Sequence, residues 1–230
     1  TSSIAYQYNF KRNKDHNISV KAIANISGAT QRDTTFNYAT DGSQSSGNIY
    51  TETGPSNSYR FKIDYVQPFK KNKFEAGLQS QIGQSGDIGK NFIYDPLTFN
   101  YDFDSLLSSD VSYVRDIHAG YAIFGGMKEK LGYQVGIRAE FTYRTISSSA
   151  AVEFAEINRL DWFPSAHFSY NLKNDAQLLM SYSRRIERPR SYWFEPFITW
   201  TSPFAVRSGN PDLLPTYIDV FEMSYMYPFK

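Results

Sequence analysis

Connections of two lengths alternate along this chain, and that alternation limits the folds open to it. Short polar turns are expected at residues 12–17, 70–73, 126–131 and 171–175. Between them lie stretches rich in Gly, Ser, Asn and aromatic residues, at 29–56, 83–110, 145–159 and 187–216, which read as long loops. A hairpin protein surrounded by water has no reason to keep every odd connection short and every even one long. A sheet whose two ends face different compartments has such a reason, and membrane-spanning β-barrels show this asymmetry.

The segments between the connections alternate with period two. In residues 132–144, Tyr133, Val135, Ile137, Ala139, Phe141 and Tyr143 share one face. Gln134, Gly136, Arg138, Glu140, Thr142 and Arg144 share the other, so the polar face is heavily charged. Ten residues at about 3.3 Å, tilted about 40°, span roughly 25 Å, the height of an apolar barrel band between its aromatic girdles. The first row is therefore expected against lipid and the second toward the lumen. Ile4, Tyr6, Tyr8 and Phe10 repeat the pattern, as do Val20, Ala22, Ala24 and Ile26. So do Tyr59, Phe61, Ile63 and Tyr65, then Phe74, Ala76, Leu78 and Ile82. Ile117, Ala119, Tyr121 and Ile123 oppose His118, Gly120 and Ala122 and are read the same way. Residues 162–170, then Leu178, Met180 and Tyr182, then Phe221, Met223, Tyr225 and Tyr227 bring the count to about nine strands.

Alternation alone also describes a soluble β-sandwich. Strands near ten residues, tyrosines at strand ends and the asymmetry of the connections favour the barrel. Composition fits: mean hydropathy is −0.49 although 17% of residues are aromatic, because alternation hides a lipid-facing half. No stretch approaches the roughly 20 apolar residues of a spanning helix. The net charge of +1 gives no case for nucleic acid, and zero cysteines leave no disulfide framework. The fold class expected is all-β: a transmembrane antiparallel barrel, with residues 1–230 forming one part of its barrel domain. Nine strands cannot close an antiparallel barrel, so the chain is expected to be a fragment whose edge strands pair with residues outside it.

Catalytic chemistry is thinly represented. His16, His118 and His167 are isolated and have no metal-ligand spacing. The stretch GQSGDIGK at 83–90 is one residue too long for a phosphate loop, and Asn91 stands where Ser or Thr is required. Asp102 and Asp104 lack the ligand-rich repeat of a calcium loop. No catalytic residue, metal or cofactor is expected, and the chain is not read as an enzyme.

The most specific stretch is 181–216, SYSRRIERPRSYWFEPFITWTSPFAVRSGNPDLLPT. Asn210-Pro211 is a turn initiator, and Pro215 stands at a strand start, where proline is accepted. Gly209, Asn210, Pro211, Leu213 and Pro215 are therefore read first as a device that sets the return from loop to strand, with ligand contact as the alternative. This stretch resembles the barrel region of TonB-dependent outer-membrane receptors, in the form abundant among Bacteroidetes. Tyr182 to Ile186 with Arg188-Pro189, then Pro196-Phe197, then Gly209 to Pro215 carry the likeness, with weaker echoes at 64–69 and 136–140. Thr216 departs from the family's usual Glu, and Leu214 from its common polar residue.

The resemblance implies a barrel of the 22-strand type in the bacterial outer membrane. It also implies a plug domain and a periplasmic TonB protein as partners, outer-membrane lipid around the barrel, and energised uptake of a large or scarce nutrient. The loop aromatics Tyr192, Trp193, Phe194, Trp200 and Phe204 are candidates for a stacking surface, against the alternative of packing on one another. Arg138, Glu140, Arg144, Arg184, Arg185 and Arg188 are candidate lumen or rim charges, with salt bridging preferred to substrate contact. A second reading is a barrel acting as scaffold for surface lipoproteins or for secretion or adhesion machinery.

Overall fold

The computed structural model describes residues 1–11, 13, 15–148, 154–195, 199–202 and 205–228. Its strands are β1 (Ser2–Asn9), β2 (Asn17–Tyr38), β3 (Gln44–Phe69), β4 (Asn72–Asp95), β5 (Asn100–Lys128), β6 (Leu131–Ser148), β7 (Phe154–Asn171), β8 (Gln177–Glu187), β9 (Thr199–Ser202), β10 (Ala205–Arg207) and β11 (Thr216–Met226), with a 3-10 turn at Ser191–Trp193. Nine form one antiparallel sheet in the order β1-β2-β3-β4-β5-β6-β7-β8-β11, while β9 and β10 make a separate hairpin. The sheet is open, with β1 and β11 at its edges, as expected of a barrel segment.

The short turns lie where the sequence places them, the tightest at residues 70–71 and 129–130. Lys70 (φ 52°) and Glu129 (φ 55°) are left-handed there, the backbone twist a tight hairpin requires. The long connections differ from expectation. Residues 29–56 and 83–110 are mostly strand, so β2 to β5 run 22 to 29 residues rather than about ten. The true connections are only residues 39–43 and 96–99. Each closes on a local signal. Gly42 takes φ 85° while the Asp41 carboxylate accepts from the Ser43 amide at 2.9 Å. Asp95 accepts from the Leu97 amide at 2.8 Å and from the Thr98 hydroxyl at 3.0 Å. Once a hairpin is in register, each further rung satisfies the backbone groups of both strands. The β-branched residues at 30, 34, 35, 49, 51 and 53 suit that pairing, so it continues well past the apolar band. For 145–159, β6 and β7 extend to Ser148 and from Phe154, and residues 149–153 lie outside the described residues.

Prolines interrupt the ladders. Pairing of β3 with β4 skips Gly54 and Pro55 between Thr53↔Ile88 and Ser56↔Ser85. Pairing of β7 with β8 ends at Ser165↔Ser183, one residue short of Pro164, which has no N–H to contribute. Beyond that point the upper end of β8 leaves β7.

Directly paired residues share a face, so register settles which rows run together across the sheet, and the face on which Phe194 packs against Val111 and Ile146 is the inner one. The row Tyr133, Val135, Ile137, Ala139, Phe141 and Tyr143 is outward, continuing through Phe168, Ala166, Pro164, Trp162 and Leu160 of β7. On β4 it continues through Phe74, Ala76, Leu78 and Ile82, and on β3 through Tyr65, Ile63, Phe61 and Tyr59. Strand β5 is reversed. Ile117, Ala119, Tyr121 and Ile123 pair with Thr142, Glu140, Arg138 and Gly136, which places them on the inner face. His118, Gly120 and Ala122 take the outer face, where His118 Nδ1 lies 2.9 Å from Ser80 Oγ. The Tyr121 hydroxyl explains the choice, since it donates to Asp64 at 2.5 Å across Gly77 on the inner face. A β-carbon at Gly77 would stand 2.5 Å from the Tyr121 ring, so that strand position has to be glycine.

Candidate functional site

The inner face carries a charge network across β3 to β8. Lys62 pairs with Asp64 at 2.8 Å, and Arg138 with Glu140 at 2.7 Å. Arg188 reaches across the parted β7–β8 ladder to Glu140 at 2.7 Å and Asp161 at 3.6 Å. Asp161 is buried, receives Arg159 at 3.0 Å, and accepts a hydrogen bond from the Tyr217 hydroxyl. The separation of β8 from β7 beyond Pro164 lets these side chains converge.

Above the network, the connection from β8 to β11 folds onto the inner face as a strap. Phe194 and Glu195 are each only 2% exposed. Phe194 packs with Val111 and Ile146, with Tyr113, Ile157 and Leu213 around them, and the Arg144 guanidinium lies 4.3 Å from its ring centre. Glu195 accepts from the Tyr113 hydroxyl at 2.5 Å and pairs with Arg207 at 3.3 Å. Burial, then the bond to Glu195, pushes the Tyr113 hydroxyl well above the usual phenol range.

The strap's return is tied to its outgoing limb by two backbone bonds of 2.7 Å, from the Gly209 amide to Glu195 O and from the Asn210 amide to Trp193 O. A β-carbon on Gly209 would meet Trp193 O at 2.5 Å and Glu195 N at 2.7 Å, so the approach requires glycine. Asn210 Oδ1 accepts from the Asp212 amide at 2.9 Å, while Pro211 occupies the turn, Leu213 packs near Phe194, and Pro215 immediately precedes β11.

The remaining candidates separate by what already holds them. Arg138 and Arg188 are paired with Glu140, Arg144 lies over Phe194, and Arg184 pairs with Asp219 at 2.8 Å. Arg185 is exposed and forms no ion pair among the described residues. Tyr192 and Trp193 form the 3-10 turn with their rings edge-to-face at 5.9 Å. Phe194, grouped with them by sequence, is instead buried as the strap's anchor. Trp200 lies in β9, and Phe204 falls outside the described residues. Sequence reasoning missed Tyr113, Glu195, Arg207 and Arg190. Their only local signal is a carboxylate beside Pro196 in an aromatic run, and 82 residues separate Tyr113 from Glu195.

Farther from the membrane band, carboxylates gather on the same face. Burial, reinforced by the charge of Asp87, raises the Glu52 carboxyl, and burial with the charge of Glu195 raises Asp87. Among the described residues no group of acidic or histidine side chains has the arrangement of a metal site.

An open antiparallel sheet with an apolar outer face, a charged inner face and hairpins extended on one side is a segment of an outer-membrane β-barrel. The chain belongs to the outer membrane protein beta-barrel family, whose model matches residues 8–230, and its place is the bacterial outer membrane. Among solved structures it is similar to the ferric citrate transporter FecA in its unliganded form, with a TM-score of 0.52 at 10% identity. The match covers 80% of this chain and 26% of that one, so the chain spans about a quarter of that structure. At that identity the likeness is one of fold, and it agrees with the resemblance to TonB-dependent receptor barrels read from 181–216. Comparison with curated proteins returns no match.

Proposed function

We propose that the chain is part of the wall of a TonB-dependent import receptor, which takes up a large or scarce nutrient through a plugged barrel. The observation that carries this reading is the strap: a connection from the extended-hairpin side folded onto the charged inner face and anchored by Phe194 and Glu195. A wall built only to anchor other proteins has no need to narrow its own lumen. The likeness to a transporter barrel supports import as the class of activity and carries no substrate with it. The partners follow from the same reading: a plug domain inside the barrel and TonB on the periplasmic side. The test is growth on limiting nutrients by strains with and without the intact gene, each with TonB present or removed. Import predicts an advantage that disappears with TonB, and an advantage independent of TonB would overturn it.

One observation favours the scaffold reading. The tip of the β4–β5 hairpin exposes Leu97 at 87% and Phe99 at 77%, and the bulge in β5 below it exposes Leu106 at 91%, more apolar surface than a solvated hairpin needs. Replacing all three with Ser would release a surface lipoprotein from a scaffold. In a receptor without such a partner it would leave uptake intact.

A further inference from the structure

We propose that a cavity of about 520 Å³ beside the strap is a binding site for a pyranose ring carrying one carboxylate. This deepens the import reading by naming a ligand class, and binding can be measured apart from transport. The cavity is lined by Glu187, Arg188, Pro189, Arg190, Tyr192, Trp193 and Thr216. Its volume lies within the roughly 300–1,000 Å³ of small-molecule sites and accommodates one or two sugar rings.

Existing contacts decide which lining groups remain for a ligand. Arg188 is held by Glu140 and Asp161, so its charge is already compensated. Tyr192 carries the Arg207 guanidinium 4.6 Å from its ring centre, and its hydroxyl lies 3.5 Å from Arg190 Nη1. Arg190 is exposed and forms no ion pair among the described residues, which leaves its planar fork open to a carboxylate. Trp193 is 49% exposed, so part of its ring is available to the C–H face of a sugar. Glu187 and Thr216 stand opposite each other in the β8–β11 ladder and offer acceptors for ring hydroxyls. Glu187 also disfavours a second negative charge on the ligand. A neutral sugar would leave Arg190 without a partner, and an aromatic acid would leave Glu187 and Thr216 without one.

The test uses the full-length protein in detergent, with methyl glucuronide, methyl glucoside and benzoate as probes and calorimetry as the readout. Glucuronide should bind at least tenfold more tightly than glucoside or benzoate. Arg190→Ala should bring glucuronide down to the affinity of glucoside, and Arg190→Lys should recover part of the loss. Trp193→Ala should weaken both sugars alike. Unchanged heat-modifiable migration on a gel will show that each variant is folded. Equal affinity for the two sugars, no effect of Arg190→Ala, tighter benzoate, or no binding by any probe would each overturn the assignment. Specific binding without TonB-dependent uptake would instead sink the import reading and leave the site standing.

Discussion

Replacing Ile137 with Arg tests the face assignment on which the whole reading depends. Ile137 is outward, 48% exposed, and flanked by Ala122 of β5 and Pro164 of β7. It stands four residues from Tyr133 and six from Tyr143. At about 3.3 Å per residue and about 40° of tilt, those rings lie roughly 10 Å and 15 Å away along the membrane normal. A guanidinium at 137 therefore begins near the middle of the apolar band and must stretch far to reach either interface. The expected cost is about 2–4 kcal/mol, or roughly 30- to 900-fold in the folding equilibrium. The control is Gln134→Arg, an exposed inner-face position with no side-chain hydrogen bond among the described residues, where the change should stay within about 0.5 kcal/mol. Thr142 is unsuitable as a control, because it is buried and lies 3.4 Å from Arg188. The assay is urea titration of full-length protein folded into phospholipid vesicles, followed by heat-modifiable gel mobility. Equal losses at 134 and 137 would refute the assignment.

Gly209→Ala should push a β-carbon into the backbone of Trp193 and Glu195, loosening the strap by about 1–3 kcal/mol; limited proteolysis should then cut residues 188–210 faster, and unchanged cutting would count against the backbone tie. For Asp87, burial and the charge of Glu195 hold the folded carboxyl above its ordinary value, so the folded state binds protons more readily than the unfolded one. Stability of the extended hairpins should therefore fall as pH rises from the ordinary carboxylate range through that raised value. Asp87→Asn should slow amide exchange in β3 and β4 at pH 7 and make no difference below the ordinary range; a benefit that grows in acid would reverse the sign. Single cysteines at Ser45 and Asp212 should react with an impermeant thiol reagent on intact cells while those at Glu129 and Lys173 stay shielded, and the opposite pattern would invert the topology.

Much of the fold is legible in local sequence. Period two in residues 132–144 follows from the covalent geometry of a strand, which sends neighbouring side chains to opposite faces whatever surrounds them. Asn210-Pro211 and Pro215 mark their turn and strand start for equally local reasons, since proline fixes φ and removes an N–H. The long reach of β2 to β5 was hidden, because Gly, Ser and Asn read as loop until a neighbouring strand supplies hydrogen-bond partners. Only the tertiary structure decided which face of β5 is outward. Ile117, Ala119, Tyr121 and Ile123 look like a lipid row, yet the bond from Tyr121 to Asp64 and the open space over Gly77 draw that row inward. The strap is non-local in the same way. Glu195 becomes an anchor only when Tyr113, 82 residues away, and Arg207 arrive beside it. Alternation along one strand fixes which residues are on the same side, but naming that side takes a partner strand, and bringing distant charges together takes the whole sheet.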